Sequence, residues 1–162
     1  MTDAYIYEDN LVTSYNADTS KFVGDIISPV LFMDSNSVPG SFYAEYILIN
    51  EALKGSPPEH SHDDADEILM FFGTDPQRPH DLCGEIEIWI AGEKHTLTES
   101  AMIFVPKGVK HCPLYAPRVD RPIVMVSTAP AVTNAIKDAC GVRIYDLPAT
   151  PEKIKAALAA KK

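Results

Sequence analysis

Between residues 30 and 128 the chain is a succession of short runs of branched and aromatic residues, each ended within roughly 8 to 12 residues by a cluster of turn formers. Such runs suit strands, and many short strands must bury a face against a second sheet, as in a sandwich or barrel. Val30 to Met33 is one run, closed by the turn-rich 34–40 segment. Phe42 to Ile49 is the next, followed by a turn at Lys54-Gly55-Ser56-Pro57-Pro58. Glu67 to Phe72 is apolar on both faces, which marks a central strand or one covered by a partner. Glu85 to Ile90 alternates strictly, with Ile86, Ile88 and Ile90 on one face and Glu85, Glu87 and Trp89 on the other. Ala91-Gly92-Glu93 turns the chain into Lys94 to Thr98. Ala101 to Val105, His111 to Ala116 and Ile123 to Thr128 complete the series. The 13 prolines and 8 glycines are scattered as punctuation rather than gathered in linkers.

The two ends read differently. Residues 1–40 form an N-terminal arm with short strands, residues 41–129 the barrel, and residues 130–162 a C-terminal extension. Within the extension, Thr150-Pro151-Glu152 is a helix start: a threonine cap, proline at the first helical position and an acid in the first turn. A terminal helix is expected from there to Lys162, and a second short one over Val132 to Cys140.

Bulk properties exclude several function classes. With 14 basic against 23 acidic residues the formal charge is -9, which disfavours binding to nucleic acid. No window is apolar and long enough to span a bilayer as a helix. The first residues are acidic and carry no secretory pattern. The cysteines, Cys83, Cys112 and Cys140, are odd in number and sparse, as expected of reduced thiols in a cytoplasm. Cys112 follows His111, so strand alternation would turn it to the opposite face.

Three of the five histidines have a geometric reason for their places. His60 and His62 share a strand face, and two imidazoles on one face can reach a single ion. The acidic turn Asp63 to Asp66 returns the chain, so that Glu67 at the head of the next strand adds a carboxylate. His111 follows Pro106-Lys107-Gly108, a turn that delivers a third imidazole from a distant strand. Three imidazoles and a carboxylate suit one divalent transition metal ion (Mn, Fe, Co, Ni or Zn) with open positions for water or substrate. A His-x-His pair alone is a weak signal. The order and spacing of the whole set carry the argument.

That set resembles the cupins, whose first motif has the form G-x5-H-x-H-x3-4-E-x6-G and whose second has the form G-x5-P-x-G-x2-H-x3-N. Here Gly55, His60-Ser61-His62, Glu67 and Gly73 follow the first, and Pro106-Lys107-Gly108-Val109-Lys110-His111 the second. The departures fall outside the ligand positions. Gly55 and Gly73 each stand one residue closer than the pattern, Ser100 takes a glycine place and Tyr115 the asparagine place. The likeness spans about residues 42 to 128. It implies an all-β, double-stranded β-helix (jelly-roll) barrel with His60, His62, Glu67 and His111 as metal ligands, here followed by a short C-terminal helix.

Other residues are weighed beside these. Alternation from Glu67 turns Leu69 and Phe71 inward, and alternation from His111 does the same for Pro113 and Tyr115. Tyr115 is thus one candidate catalytic residue, able to donate a hydrogen bond to substrate. His80 in the loop before Cys83 is the other, as an acid or base on a lid, with Asp81 beside it. Glu85 and Glu87 are candidate partners of imidazole N–H groups. Arg118 and Arg121 are either a carboxylate clamp or a turn with local ion pairs. His95 reads as structural. The resemblance implies a metal-dependent enzyme acting on a small oxygen-rich organic acid or carbonyl compound, of the isomerase, lyase or dioxygenase type. A non-catalytic metal- or ligand-binding module is the alternative. The apolar outer face of Ile68, Met70 and Phe72 leads to an expected homodimer.

Overall fold

The structure, a computed structural model, describes residues 10–20, 22, 24–39, 41–55, 57–63, 65–129, 140–142 and 151–160. The helix expected over 132–140 lies outside these residues except for Cys140, as does the Thr150 cap. Nine regular elements follow the sequence pattern closely. They are β1 (Ile27–Met33), β2 (Tyr43–Ile49), β3 (Glu67–Phe72), β4 (Asp81–Ile90), β5 (Glu93–Glu99), β6 (Ala101–Val105), β7 (His111–Val119), β8 (Ile123–Ala129) and helix α1 (Pro151–Ala160). A 3-10 turn, Gly24–Ile26, leads into β1. Among the described residues no helix is long and apolar enough to cross a membrane.

The strands form two antiparallel sheets, ordered β1-β2-β8-β3-β6 and β5-β4-β7. β1 comes from the stretch read as an arm and pairs along β2. Isolated bridges Leu53–Ala116 and His60–His111 lay the chain between β2 and β3 along the free side of β7. Period-two alternation decides which side chains enter. Ile86 and Ile88 are fully buried from β4, Leu69 and Phe71 are buried from β3, and Ile49, Leu82, Leu114 and Ile123 close the core. On the five-stranded sheet the inward residues fall in rows. Ile49 faces Ile123, then come Ile47, Met125 and Phe71, then Glu45, Ser127 and Leu69. The next row holds Tyr43, Ala129 and Glu67. The interior is therefore dry at one end and increasingly polar toward the other.

β4 begins at Asp81, inside the stretch read as a loop from Gly73 to Cys83. The early start follows from the close return of the chain at Gly73, where a Cβ atom would lie 1.9 Å from the Asp81 carbonyl oxygen. Asp81 then pairs with Glu99 of β5. The β4–β5 hairpin has a two-residue loop with positive φ at Ala91 (52°) and Gly92 (83°), the combination that matches strand twist. Space around Gly92 is open. Gly73→Ala is expected to cost about 3 kcal/mol through its backbone clash. Gly92→Ala, which meets only conformational strain, is expected to cost about 1 kcal/mol. Chemical denaturation of the two variants checks this, and a Gly73→Ala midpoint as high as that of Gly92→Ala would contradict the close approach.

Candidate metal centre

Two distant pieces of chain meet through reciprocal backbone hydrogen bonds. His60 N–H donates to the His111 carbonyl at 3.0 Å, and His111 N–H donates to the His60 carbonyl at 2.9 Å. A hydrogen-bonded antiparallel pair sets its two side chains on the same face. The Pro106–Gly108 turn is held against the same loop. Gly108, at φ 78°, donates its N–H to the His62 carbonyl at 2.7 Å, and Lys107 N–H donates to the Asp66 carboxylate at 3.0 Å. His60 lies in an isolated bridge rather than in a regular strand, so neighbouring backbone, not a strand of its own, aims the pair His60 and His62.

The three imidazoles converge, with ring centroids 4.3 to 5.3 Å apart. One nitrogen from each of His60, His62 and His111 can be chosen so that all lie within 4.8 Å of one another. The Glu67 Oε2 atom is 2.9 Å from His111 Nε2 and 3.5 Å from His62 Nε2. The structure therefore brings together all four residues singled out as ligands.

The hydrogen bonds of the rings set their chemistry. His60 Nδ1 lies 2.8 Å from the Pro58 carbonyl and His111 Nδ1 lies 3.1 Å from the Val109 carbonyl. A carbonyl oxygen only accepts, so Nδ1 carries the hydrogen in both rings and a neutral ring presents the Nε2 lone pair. At His111 that lone pair faces a carboxylate oxygen across 2.9 Å. Both atoms are buried, and neither has a hydrogen-bond partner despite their closeness. Two facing acceptors are relieved by a second proton on the ring or by a cation at their focus. The four residues thus fit a divalent metal ion, with His60, His111 and Glu67 oriented from behind and His62 at the more exposed rim.

The cluster closes one end of a cavity of about 460 Å³. Its walls are chiefly apolar, with Ile27, Ile47, Ile49, Leu69, Leu114 and Met125 among them. Cys112 also lines it, contrary to the simple alternation that turned it away. Cys112 has a positive φ of 66°, and the pairing of β7 with β4 slips between Ile88–Leu114 and Ile90–His111. This bulge lets His111 and Cys112 both face inward, after which Leu114 and Ala116 continue the buried series. Burial pushes the Cys112 thiol up to about 12, so it stays protonated.

The same bulge corrects the placement of Tyr115. Its ring lies outside the cavity lining, 5.5 Å from the Trp89 ring and so close to Gly55 that a Cβ there would meet it at 2.9 Å. His80 is misplaced for catalysis for a different reason. It is exposed in the loop after Phe72, at the far end of β3 from Glu67, about 17 Å along a strand of this length. Glu87 pairs with Lys94 across the β4–β5 hairpin, on the side of β4 opposite the buried isoleucines. Arg118 pairs with Asp120, and Arg121 lies 3.9 Å from Asp75, so neither clamps a ligand in the cavity. His95 is exposed on β5.

Sequence reasoning missed a polar group on the cavity wall. Tyr43 donates to Glu45 Oε2 at 3.0 Å, and Ser127 donates to the Tyr43 oxygen at 3.3 Å. Tyr15 donates to Glu45 Oε1 and packs on Phe22 and Phe32. The period-two spacing of Tyr43 and Glu45 in β2 was the available signal, because it puts both on one face.

No protein-family model matches the chain, and no curated protein matches it. Solved structures do. An oxalate oxidase bound to the substrate analogue glycolate aligns over 100% of this chain and 86% of its own, at 14% identity and TM-score 0.51. A second oxalate oxidase structure aligns over 100% and 86%, at 14% identity and TM-score 0.50. The cupin domain of Schizosaccharomyces pombe Cnp3 is also similar, over 75% of this chain and 69% of its own, at 13% identity and TM-score 0.47. At such identities the likeness concerns fold. The chain has the cupin fold, a jelly-roll barrel of antiparallel strands.

Adding about one equivalent of a divalent transition metal ion is expected to raise the melting temperature of the metal-free protein. Stabilisation would be about 2.7 kcal/mol where the free ion stands at a hundred times its dissociation constant. His111→Ala should abolish the rise, as followed by differential scanning calorimetry.

Proposed function

We propose that the protein is a metal-dependent enzyme acting on a small oxygen-rich organic acid or carbonyl compound, of the isomerase, lyase or dioxygenase type. In this reading His60, His62, Glu67 and His111 hold one divalent ion. The observation that carries it is the facing pair of buried, unpartnered atoms, Glu67 Oε2 and His111 Nε2, at the end of a mainly apolar cavity. A bound ion would supply Lewis acidity and would orient adjacent oxygens of the substrate. The apolar walls exclude water and strengthen each electrostatic contact inside. The backbone carbonyls of Pro58 and Val109 hold the imidazoles in one tautomer throughout. The oxalate oxidase of the same fold takes glycolate as a substrate analogue, and a small hydroxy acid suits a cavity of this size and lining.

The test is metal content by elemental mass spectrometry on protein prepared without chelator, beside His62→Ala. About one equivalent of metal in the parent and its loss from the variant is the expected result. Iron directs the search to oxygen-uptake assays, whereas manganese, zinc, nickel or cobalt directs it to isomerase and lyase screens. A protein that holds no metal and takes none up would overturn the reading.

We further infer a homodimer. Ile68 of β3 pairs with Phe104 of β6, and β6 is the outer strand of the larger sheet. Met102 and Phe104 are 69% and 61% exposed and stand beside Ile68, so an apolar strip runs along that edge. Sedimentation at micromolar concentration should give twice the chain mass, and Phe104→Glu should give a monomer.

A further inference from the structure

The wall formed by Tyr43, Glu45 and Ser127 has a direction. Ser127 spends its hydroxyl hydrogen on Tyr43, and Tyr43 spends its own on Glu45. Tyr15 delivers a further hydrogen to the same carboxylate. Burial, reinforced by Glu45, pushes both phenols far above their ordinary range, so they remain donors. In such a chain every hydrogen points toward Glu45. Ser127, only 5% exposed, is left with an oxygen that accepts. Glu45 beside it is acceptor-only when ionised and brings negative charge to that side of the cavity.

All three residues line the cavity that the histidines and Glu67 close. Register places Ser127 between Glu45 and Leu69, one row from Glu67. Strand spacing then sets the Glu45 and Glu67 Cα atoms roughly 12 Å apart. With both side chains projecting inward, the gap suits an extended acid of roughly six carbons.

Resting on the metal reading above, we propose that this wall selects a 2-hydroxy or 2-keto acid carrying a hydroxyl group at its far end. The acid end chelates at the histidines. The distal hydroxyl donates to Ser127, beside Glu45. A methyl group in its place leaves a buried acceptor unsatisfied, and a carboxylate in its place meets like charge.

The test is calorimetry on the full chain loaded with zinc, using 2,6-dihydroxyhexanoate, 2-hydroxyhexanoate and 2-hydroxyadipate. The three share one chelating end and differ only at the other. The dihydroxy acid should bind about tenfold more tightly than 2-hydroxyhexanoate, and 2-hydroxyadipate should bind most weakly. Ser127→Ala should bring the first two within about twofold of each other, and Glu45→Gln should strengthen 2-hydroxyadipate about fivefold. The ranking in the unsubstituted protein decides the matter even where a variant fails to fold. Zinc-loaded protein that binds the three acids equally overturns this inference alone. Protein that takes up no zinc overturns the metal reading and this inference with it.

Discussion

The reciprocal hydrogen bonds between His60 and His111 join segments fifty residues apart, and the site depends on them. Neither histidine could select its partner through its side chain, since neutral imidazoles do not attract one another. Backbone pairing sets both rings on one face, and the Gly108 and Lys107 N–H groups fasten the remainder of the loop. The side chains are then held close together without a bond among them. Glu67 and His111 are left facing each other in a buried place, a costly arrangement unless a cation or proton lies between them.

This cost is located where the barrel can bear it. Rows of isoleucine, leucine and phenylalanine fill the end of the barrel away from the histidines, and the polar residues are confined to the open end. The dry end supplies cohesion, and the polar end is left to bind. The gradient also sets the character of the cavity, which has an apolar body with a metal-type ligand set at one place and an acceptor wall at another.

Much of this was legible in the residues themselves. The alternation of Glu85 to Ile90 and the run Glu67 to Phe72 became strands with the expected inward faces, because a half-buried strand has a period of two. Alternation failed at Cys112 for a physical reason. A bulge adds a residue to one strand and reverses the parity of everything after it, which sent Tyr115 outward and Cys112 inward. His80 was misjudged because a loop's length says nothing about which end of the barrel it occupies. That follows from strand direction, and β3 carries the chain away from Glu67 before the loop begins.

The sequence by itself determined the strand periodicity, the turns and the set of four side chains suited to one ion, because these depend on residue type and local spacing. Only the tertiary structure decided which parity β7 adopts beyond His111, and that Tyr43, Glu45 and Ser127 share a wall with the histidines. Ser127 stands 82 positions after Glu45 and becomes its neighbour through pairing of β2 with β8. Pairing of that kind is set by the closure of the whole barrel, and no local pattern in either strand encodes it.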